Sequence, residues 1–303
     1  MTTRRHEPLP LGSDGRPYSK GLMARALGVT GIPALRAYEL AIRVESDLRA
    51  RGSSTVDLER LHELAVEVLG ETDGDRTMRR LRRYSELQQL DVPIVVLIGG
   101  ATGTGKSTIA TEVAYRLGIT RVTSTDFVRQ TMRAFFSPEF IPSVHHSSFE
   151  AGEALPPAER EAGDPLLVGF LDQTRHVLAG VQASIDRALE ESWSMVLEGV
   201  HLVPGMLPEP SGAALVVQVV VAIESEDVHA QHFFIRDATS GGVRRLDRYL
   251  HRLADIRQLQ DFLVEEARKC GVPVVQNGNI ELAIGEVIEL VFAQMEAVER
   301  EAV

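Results

Sequence analysis

The chain has 303 residues, a formal net charge of −11 and 44% hydrophobic residues, values typical of a globular protein with one large or two modest domains. The acidic balance argues against general nucleic-acid binding, which depends on an excess of lysine and arginine. No run approaches the ~18–20 apolar residues of a membrane span, and no apolar stretch of a secretory signal follows the first arginines. The single Cys270 excludes an intramolecular disulfide and a cysteine-based metal site. These features favour a cytoplasmic enzyme or regulator without nucleic-acid or membrane partners, and they leave open whether it forms a homo-oligomer.

Residues 1–90 have a mainly helical pattern. A turn is predicted at Asp14-Gly15, after which apolar residues recur at helical spacing. The arginine cluster at 79–83 is interpreted as a solvated helix face. The predicted helices span 19–27, 32–51, 56–69 and 75–90. We therefore expect a small, mainly helical module here.

From residue 91 onward, apolar runs suited to buried strands alternate with helical stretches. Such alternation is typical of an α/β fold with a parallel sheet covered by helices on both faces. The ligands of these sheets bind beyond the carboxyl ends of the strands. Five strands are predicted, at 92–98, 119–124, 194–198, 214–223 and 272–275. Helices are predicted at 106–117, 126–136, 166–191, 226–268 (interrupted) and 279–301.

The stretch "GGATGTGKST" (99–108) follows the first of these strands, opens a helix, and contains the P-loop pattern G-x-x-x-x-G-K-[S/T]. Backbone N–H groups of such a loop approach phosphate oxygens, and the helix N-terminus favours negative charge. The lysine reaches the β- and γ-phosphates, and the serine hydroxyl binds Mg²⁺. A glycine-rich turn without a ligand has no need of the Lys-Ser pair. The predicted ligands of ATP are Gly100, Thr102, Gly103, Thr104, Gly105, Lys106, Ser107 and Thr108, with Lys106 also catalytic and Ser107 a ligand of Mg²⁺.

A carboxylate ends the second predicted strand, and two arginines follow it on the next helix. Asp126 can accept the proton of an acceptor hydroxyl, or it can cap the helix. Arg129 and Arg133 are four residues apart and project from one helix face, where they can grip an anionic acceptor or form a solvated surface. This arrangement favours a small-molecule kinase with Asp126 as a catalytic residue.

Two further segments contribute candidate ligands at the same rim of the sheet. The segment 137–157 is rich in proline and serine, and loops of this length inside a compact domain tend to be functional or disordered. Its aromatic residues and the run at 145–148 make disorder the less attractive alternative. Glu198, at the end of the third strand, can hold Mg²⁺ directly or through water, contact the acceptor, or pair with an arginine. The predicted acceptor ligands in these segments are His145, Ser147, Ser148, Glu198 and His201.

Several arginines surround a flexible Ser-Gly-Gly at 240–242. Arginines on helices hinged by glycines suit a lid that closes over the nucleotide, and an added arginine raises phosphoryl-transfer rates by about 10³–10⁵. The alternative is a salt-bridged helical hairpin that uses Asp247 and Asp255. We predict a lid around 232–255, within which the sequence alone does not fix which arginine has which role. Arg244 is taken as catalytic, and Arg236 and Arg245 as nucleotide ligands.

Five segments of the chain read "IGGATGTGKSTIATEVAYRLGI", "TSTDFVRQTMR", "PSVHHSSFEAG", "LEGVHLVPG" and "HFFIR". Together they resemble the 2-phosphoglycerate kinases, a family of P-loop kinases, over roughly residues 92–275. The resemblance implies ATP-dependent phosphorylation of the 3-hydroxyl of 2-phosphoglycerate to give 2,3-bisphosphoglycerate. It also implies that Asp126 lies near the transferring hydroxyl, with Arg129, Arg133 and the segment 145–148 around the acceptor's phosphate and carboxylate.

Residues 8–90 resemble an ATP-cone, a regulatory nucleotide-binding module, in "LGSDGRPYSKGLMARAL" and "VDLERLHELAVEVL". We therefore expect a helical module with a linker helix at 1–90 and a P-loop kinase domain at 91–303, and whether the module binds nucleotide stays open. Two alternatives remain for the function. One is a kinase for another small anionic hydroxyl acceptor, and the other is a nucleotide-sensing regulator, which has no need of a second anion site.

Overall fold

A computed structural model of the protein describes residues 18–161, 163–207, 213–240 and 246–301. The turn predicted at Asp14-Gly15 lies outside these ranges. Within them, no helix combines the length and the apolar character needed to cross a membrane.

Four helices form the N-terminal region, as the sequence predicts. The third helix begins at a helix cap in which the Asp57 carboxylate accepts a hydrogen bond from the backbone N–H of Arg60. The inward faces share an apolar cluster that includes Leu40, Leu61 and Leu81, so the helices pack on one another. They are α1 (Lys20–Gly28), α2 (Ala34–Arg51), α3 (Leu58–Leu69) and α4 (Glu71–Gln89).

The five predicted strands form one parallel sheet in the order β2-β3-β1-β4-β5. Gly99 pairs with Gly199, and Ser124 pairs with Glu198, so three strands end at the same edge. The first strand is buried along its whole length, as expected for the centre of a parallel sheet. The strands are β1 (Ile94–Gly99), β2 (Val122–Ser124), β3 (Met195–Gly199), β4 (Leu215–Ala222) and β5 (Val274–Gln276).

Helices cover both faces of this sheet, which confirms the α/β prediction. One apolar cluster joins Ile98 to Val113 and Val287, and another joins Leu97 to Val177 on the opposite face. The helices are α5 (Lys106–Leu117), α6 (Thr125–Phe135), α7 (Pro157–Glu161), α8 (Pro165–Glu190), α9 (Glu226–Ser240), α10 (Leu246–His251), α11 (Leu253–Cys270) and α12 (Ile280–Glu301). The segment predicted as a loop also contains two 3₁₀ helices, Pro142–His145 and Ser148–Ala154.

The arginine cluster at 79–83 differs from the sequence interpretation. Arg79 and Arg82 are exposed, but Arg80 and Arg83 pair with the Glu289 carboxylate of α12 at 2.6 and 2.8 Å. The interpretation as a solvated face is therefore wrong for Arg80 and Arg83, which attach the helical region to the last helix of the chain.

Candidate active site

The P-loop connects the end of β1 to the start of α5. Lys106 is the first residue of α5, and its Nζ donates to the carbonyl of Ala101 at 3.2 Å. The Thr104 hydroxyl donates to the same carbonyl at 3.0 Å, so both side chains fold back over the loop. Gly105 precedes the helix with φ +84°, a conformation that glycine adopts without strain. The loop therefore has the strand-to-helix setting that its motif requires, and the roles of its individual residues stay predictions.

A hydroxyl and a buried carboxylate meet beside the loop. Ser107 Oγ donates to Glu198 Oε1 at 3.0 Å, and Glu198 is only 8% exposed at the end of β3. Mg²⁺ prefers such oxygen ligands and usually keeps several waters and substrate phosphates in its shell. Within the described ranges, no group of three or more His, Cys, Asp or Glu side chains could hold a metal. Ser107 and Glu198 thus fit a Mg²⁺ ion that arrives with a nucleotide.

Asp126 lies in the first turn of α6 with its side chain 67% exposed. The helix cap is Ser124, whose hydroxyl accepts from the backbone N–H of Phe127 at 3.0 Å. Capping therefore does not explain Asp126. Its Oδ1 accepts hydrogen bonds from Arg129 Nε at 3.0 Å and Nη2 at 2.8 Å, which leaves the other carboxylate oxygen open to a substrate.

The two arginines of α6 do not act as the pair that their spacing suggests. Arg133 is exposed, whereas Arg129 is 5% exposed. Besides its bonds to Asp126, Arg129 Nη1 donates to the carbonyls of Val144 and His146 at 2.9 and 2.8 Å. Four of the five N–H groups of Arg129 thus serve protein acceptors, because its side chain turns inward to support the segment that follows α6. This corrects the expectation that Arg129 presents a fork to the acceptor.

His201 also differs from the expectation that it contacts the acceptor. It is 1% exposed, with its Nδ1 2.8 Å from Thr125 Oγ1 and its Nε2 2.9 Å from Gln173 Oε1. Because Gln173 Oε1 can only accept, Nε2 carries the proton and Nδ1 accepts from the threonine hydroxyl. Burial, followed by the positive charge of Arg129, lowers the pKa of His201 to about 3. The neutral ring is therefore a buried structural link.

Gly199 makes room for this link. Its φ is +153°, and a Cβ there would lie 1.9 Å from Thr125 Oγ1. The group that approaches Gly199 closely is therefore the Thr125 hydroxyl.

Gln173 of α8 is a residue that the motif analysis missed. Its amide nitrogen donates to the carbonyls of Ser143 and His146 at 2.5 and 3.0 Å, while its oxygen accepts from His201. One side chain thus joins the end of β3 to the 3₁₀ helix Pro142–His145. The signal in the sequence was a glutamine between Phe170 and Val177 on an apolar helix face. The structure shows that all three side chains are buried, so the amide of Gln173 needs hydrogen-bond partners.

The segment 145–148 is held from two sides. His145 Nε2 donates to the carbonyl of Phe136 at 2.9 Å, and Ser148 is buried. Arg248 of α10 donates to Ser147 Oγ at 3.1 Å and to both carboxylate oxygens of Glu150. Burial by itself raises the pKa of Glu150, but the hydrogen bond and the charge of Arg248 outweigh it, so the pKa of Glu150 is lowered. Ser147 thus lies where the acceptor segment meets the predicted lid.

The predicted lid is described only in part. Arg244 and Arg245 and the side chain of Arg236 lie outside the described residues, so their assigned roles stay predictions. Arg252, at the start of α11, pairs with Glu153 and with Asp255. Asp255 therefore takes part in an ion pair of the kind that the helical-hairpin alternative requires. Arg248 and Arg252 also connect this region to the segment 137–157, through Glu150 and Glu153.

No protein-family model matches the chain. A 2-phosphoglycerate kinase of Methanopyrus kandleri is 34% identical over 94% of this chain and 86% of its own length. One of Thermococcus kodakarensis is 36% identical, with 92% and 94% coverage, and one of Methanothermobacter thermautotrophicus is 37% identical, with 90% and 89%.

Solved structures with lower sequence identity also match. A shikimate kinase from Acinetobacter baumannii has a TM-score of 0.38 and 14% identity, covering 67% of this chain and 94% of that one. A gluconokinase from Sinorhizobium meliloti has a TM-score of 0.39 and 16% identity, with 69% and 95% coverage.

Proposed function

Because the chain belongs to the 2-phosphoglycerate kinase family and is thus a phosphotransferase, we propose that it transfers the γ-phosphate of ATP to the 3-hydroxyl of 2-phosphoglycerate. The products are ADP and 2,3-bisphosphoglycerate. The observation that carries the choice of acceptor is identity of 34–37% with the three relatives over 90–94% of the chain. The site supports it with a P-loop and an exposed carboxylate at neighbouring strand ends.

The nucleotide is bound by the P-loop. The N–H groups of 100–105 surround the phosphates, Thr108 lies at the start of the helix beyond them, and Lys106 contacts the γ-phosphate during transfer. Ser107 and Glu198 hold Mg²⁺, Glu198 directly or through water. When bound, Mg²⁺ neutralises charge that develops on the phosphate oxygens.

Asp126 is the catalytic base. Ser124 pairs with Glu198 in the sheet, and Glu198 contacts Ser107 of the P-loop, so Asp126 lies two residues from a strand end that adjoins the nucleotide site. Its carboxylate accepts the proton of the acceptor hydroxyl while that oxygen bonds to the γ-phosphorus. The bond to the bridging oxygen breaks, and ADP leaves with the electron pair.

The acceptor's phosphate and carboxylate lie among Arg133, His145, Ser147 and Ser148. Arg129 and His201 act indirectly, because their contacts support Asp126 and the segment 142–146. A lid around 232–255 closes over both substrates. Within it Arg244 stabilises the transferring group, and Arg236 and Arg245 bind the nucleotide.

The helical module at 1–90 is an ATP-cone-like attachment to the kinase domain at 91–303. Its support is the separate apolar cluster shared by α1 to α4 and the ion pairs of Arg80 and Arg83 with α12.

The test is ADP release with ATP, Mg²⁺ and a panel of phosphorylated hydroxy acids. We expect release that requires 2-phosphoglycerate, with 2,3-bisphosphoglycerate as the product. We also expect Lys106→Ala to abolish turnover without unfolding the protein, because charge stabilisation by this lysine is lost. Lys269→Ala, which removes an exposed lysine of α11 paired with Glu266, is the matched control.

Each other outcome identifies a different function. Release that depends on a different panel member would assign another anionic hydroxyl acceptor. ATP binding without any acceptor-dependent release would favour a nucleotide sensor. Substantial turnover by Lys106→Ala would contradict the role of the P-loop.

A further inference from the structure

Three successive carbonyls of the P-loop accept hydrogen bonds from side chains outside the loop. Thr102 O lies 2.8 Å from His229 Nε2, and Gly103 O lies 3.0 Å from His232 Nδ1. Thr104 O accepts from Asn277 Nδ2 at 2.9 Å. The two histidines belong to α9, and Asn277 directly follows β5.

These contacts determine how the loop's peptide planes are turned. In a trans peptide, the C=O of one residue and the N–H of the next point in opposite directions. When the carbonyls of Thr102 and Thr104 are held outward, the N–H groups of Gly103 and Gly105 face the other side of the loop. A P-loop binds phosphate on that side through its N–H groups. The N–H group of Thr104, which follows the Gly103 carbonyl, makes only a long contact of 3.4 Å with the Ala101 carbonyl.

The protonation of His229 follows from its contact. A carbonyl can only accept, so Nε2 of His229 carries a proton. His229 Nδ1 is buried and has no hydrogen-bond partner among the described residues. Burial lowers the pKa of His229, although its bond to the Thr102 carbonyl acts in the opposite direction. The contact requires the proton on Nε2, and burial favours the neutral form of the ring.

Packing fixes these rings against the loop. Phe233 stacks on His229 with centroids 5.5 Å apart and on Tyr249 with centroids 5.1 Å apart. A Cβ at Gly103 would lie 2.5 Å from Phe233 Cζ and 3.0 Å from His229 Nε2. Helix α9 therefore lies directly on the outer side of the P-loop.

We propose that His229, His232 and Asn277 are positioning residues for the nucleotide's phosphates, and that they act by holding the P-loop carbonyls outward. The inference rests on the proposed binding of ATP at this loop. In this role α9 holds the P-loop without any closure of the lid, because its contacts with the loop are already present in the structure. None of the three side chains touches the reacting atoms in this role.

The test compares substitutions that remove a donor with substitutions that restore it. His232→Leu removes the donor, and His232→Asn keeps an N–H near the position of Nδ1. His229→Leu and His229→Gln form the same comparison for Nε2. We expect each leucine variant to raise the Kd and KM for ATP about tenfold, with the acceptor KM changed less than about twofold. The asparagine and glutamine variants should recover most of the affinity for ATP.

Controls separate this inference from the function on which it rests. His176→Leu removes a histidine of α8 that is 41% exposed and should leave both constants unchanged. His232 is half-buried, so its variants keep the test valid if the fully buried His229 does not tolerate leucine. The nucleotide site itself would be contradicted if the wild-type protein failed to bind ATP, or if Lys106→Ala bound ATP with the same Kd as wild type. Normal ATP binding by His232→Leu, an equal rise in acceptor KM, or no recovery with asparagine would overturn only the positioning role.

Discussion

At the start of α6, Asp126 has one carboxylate oxygen held by Arg129 while its side chain stays 67% exposed. Capping is assigned to Ser124, so the position of Asp126 is not needed to begin the helix. A carboxylate that is both fixed and accessible is what a general base requires.

We expect Asp126→Asn to lower kcat by about 10²–10⁴, because an amide cannot accept the hydroxyl proton. The Kd for ATP should change less than about twofold, since the P-loop is untouched. Single-turnover kinetics and ATP titration measure the two effects. Asp73→Asn is the matched control, because Asp73 also lies in a first helical turn and pairs with an arginine three residues later, Arg76 at 3.2 Å. An unchanged kcat would reduce Asp126 to a surface partner of Arg129.

For single residues, the sequence predicts those features that depend on near neighbours in the chain. The P-loop follows from a contiguous motif, so the placement of Lys106 and Ser107 between β1 and α5 was predictable. Helical spacing predicted that Arg129 and Arg133 lie one turn apart on α6, but it did not predict the directions of their side chains. The acceptors of Arg129 are carbonyls 15 and 17 residues away, in a segment whose path has no sequence period.

Among the elements, α8 joins the acceptor segment to the sheet through Gln173. The side chain is fully buried, and its amide satisfies Ser143 O, His146 O and His201 Nε2. Buried polar groups that lose their partners are costly, so the path of the 142–146 segment depends on this residue.

We predict that Gln173→Leu lowers the free energy of unfolding by about 2–4 kcal/mol, because it leaves buried carbonyl and imidazole groups without a partner. It should also raise the acceptor KM more than the KM for ATP, since the segment it holds carries His145. Urea unfolding and steady-state kinetics measure these changes. Gln182→Leu on the same helix is the control, because within the described part of the chain the side chain of Gln182 bonds to Asp186 of α8 and to no other element. Equal increases in both KM values would show that Gln173 affects the fold generally.

The positions of the elements were largely predictable, because strands and helices have distinct apolar periods. All five strands were found, and α5 agrees with its predicted bounds of 106–117. Other boundaries shifted where the period is weak: α4 begins at Glu71 rather than 75. The 3₁₀ helices at 142–145 and 148–154 were missed because they are too short to show a period and are held by Arg129, Gln173 and Arg248.

For the whole molecule, the helical region packs against the end of α5 opposite the P-loop. Val29 and Leu87 join the apolar cluster of α5 and α12, and Gln88 Nε2 donates to the carbonyl of Leu117 at 3.2 Å. Arg80 links three parts, since it also donates to the carbonyl of Thr30 at 2.7 Å. The region thus contacts the helix that carries Lys106, at its other end.

We expect Glu289→Ala to loosen this attachment, because Arg80 and Arg83 share that carboxylate at 2.6 and 2.8 Å. The Glu289 carboxylate and both arginines are partly exposed, so the free energy of unfolding should fall by about 1 kcal/mol, and by less at high salt. Hydrogen exchange in α4 should rise, while exchange in the buried β1 stays slow, since local opening follows the contacts that are lost. Glu265→Ala on α11, whose partners Arg268 and Lys269 lie on the same helix, should leave α4 unchanged. Equal exchange in α4 of Glu289→Ala and wild type would mean that the Glu289 ion pairs add nothing to the docking, and that the apolar contacts of Val29 and Leu87 suffice together with the remaining pair of Arg83 and Glu296.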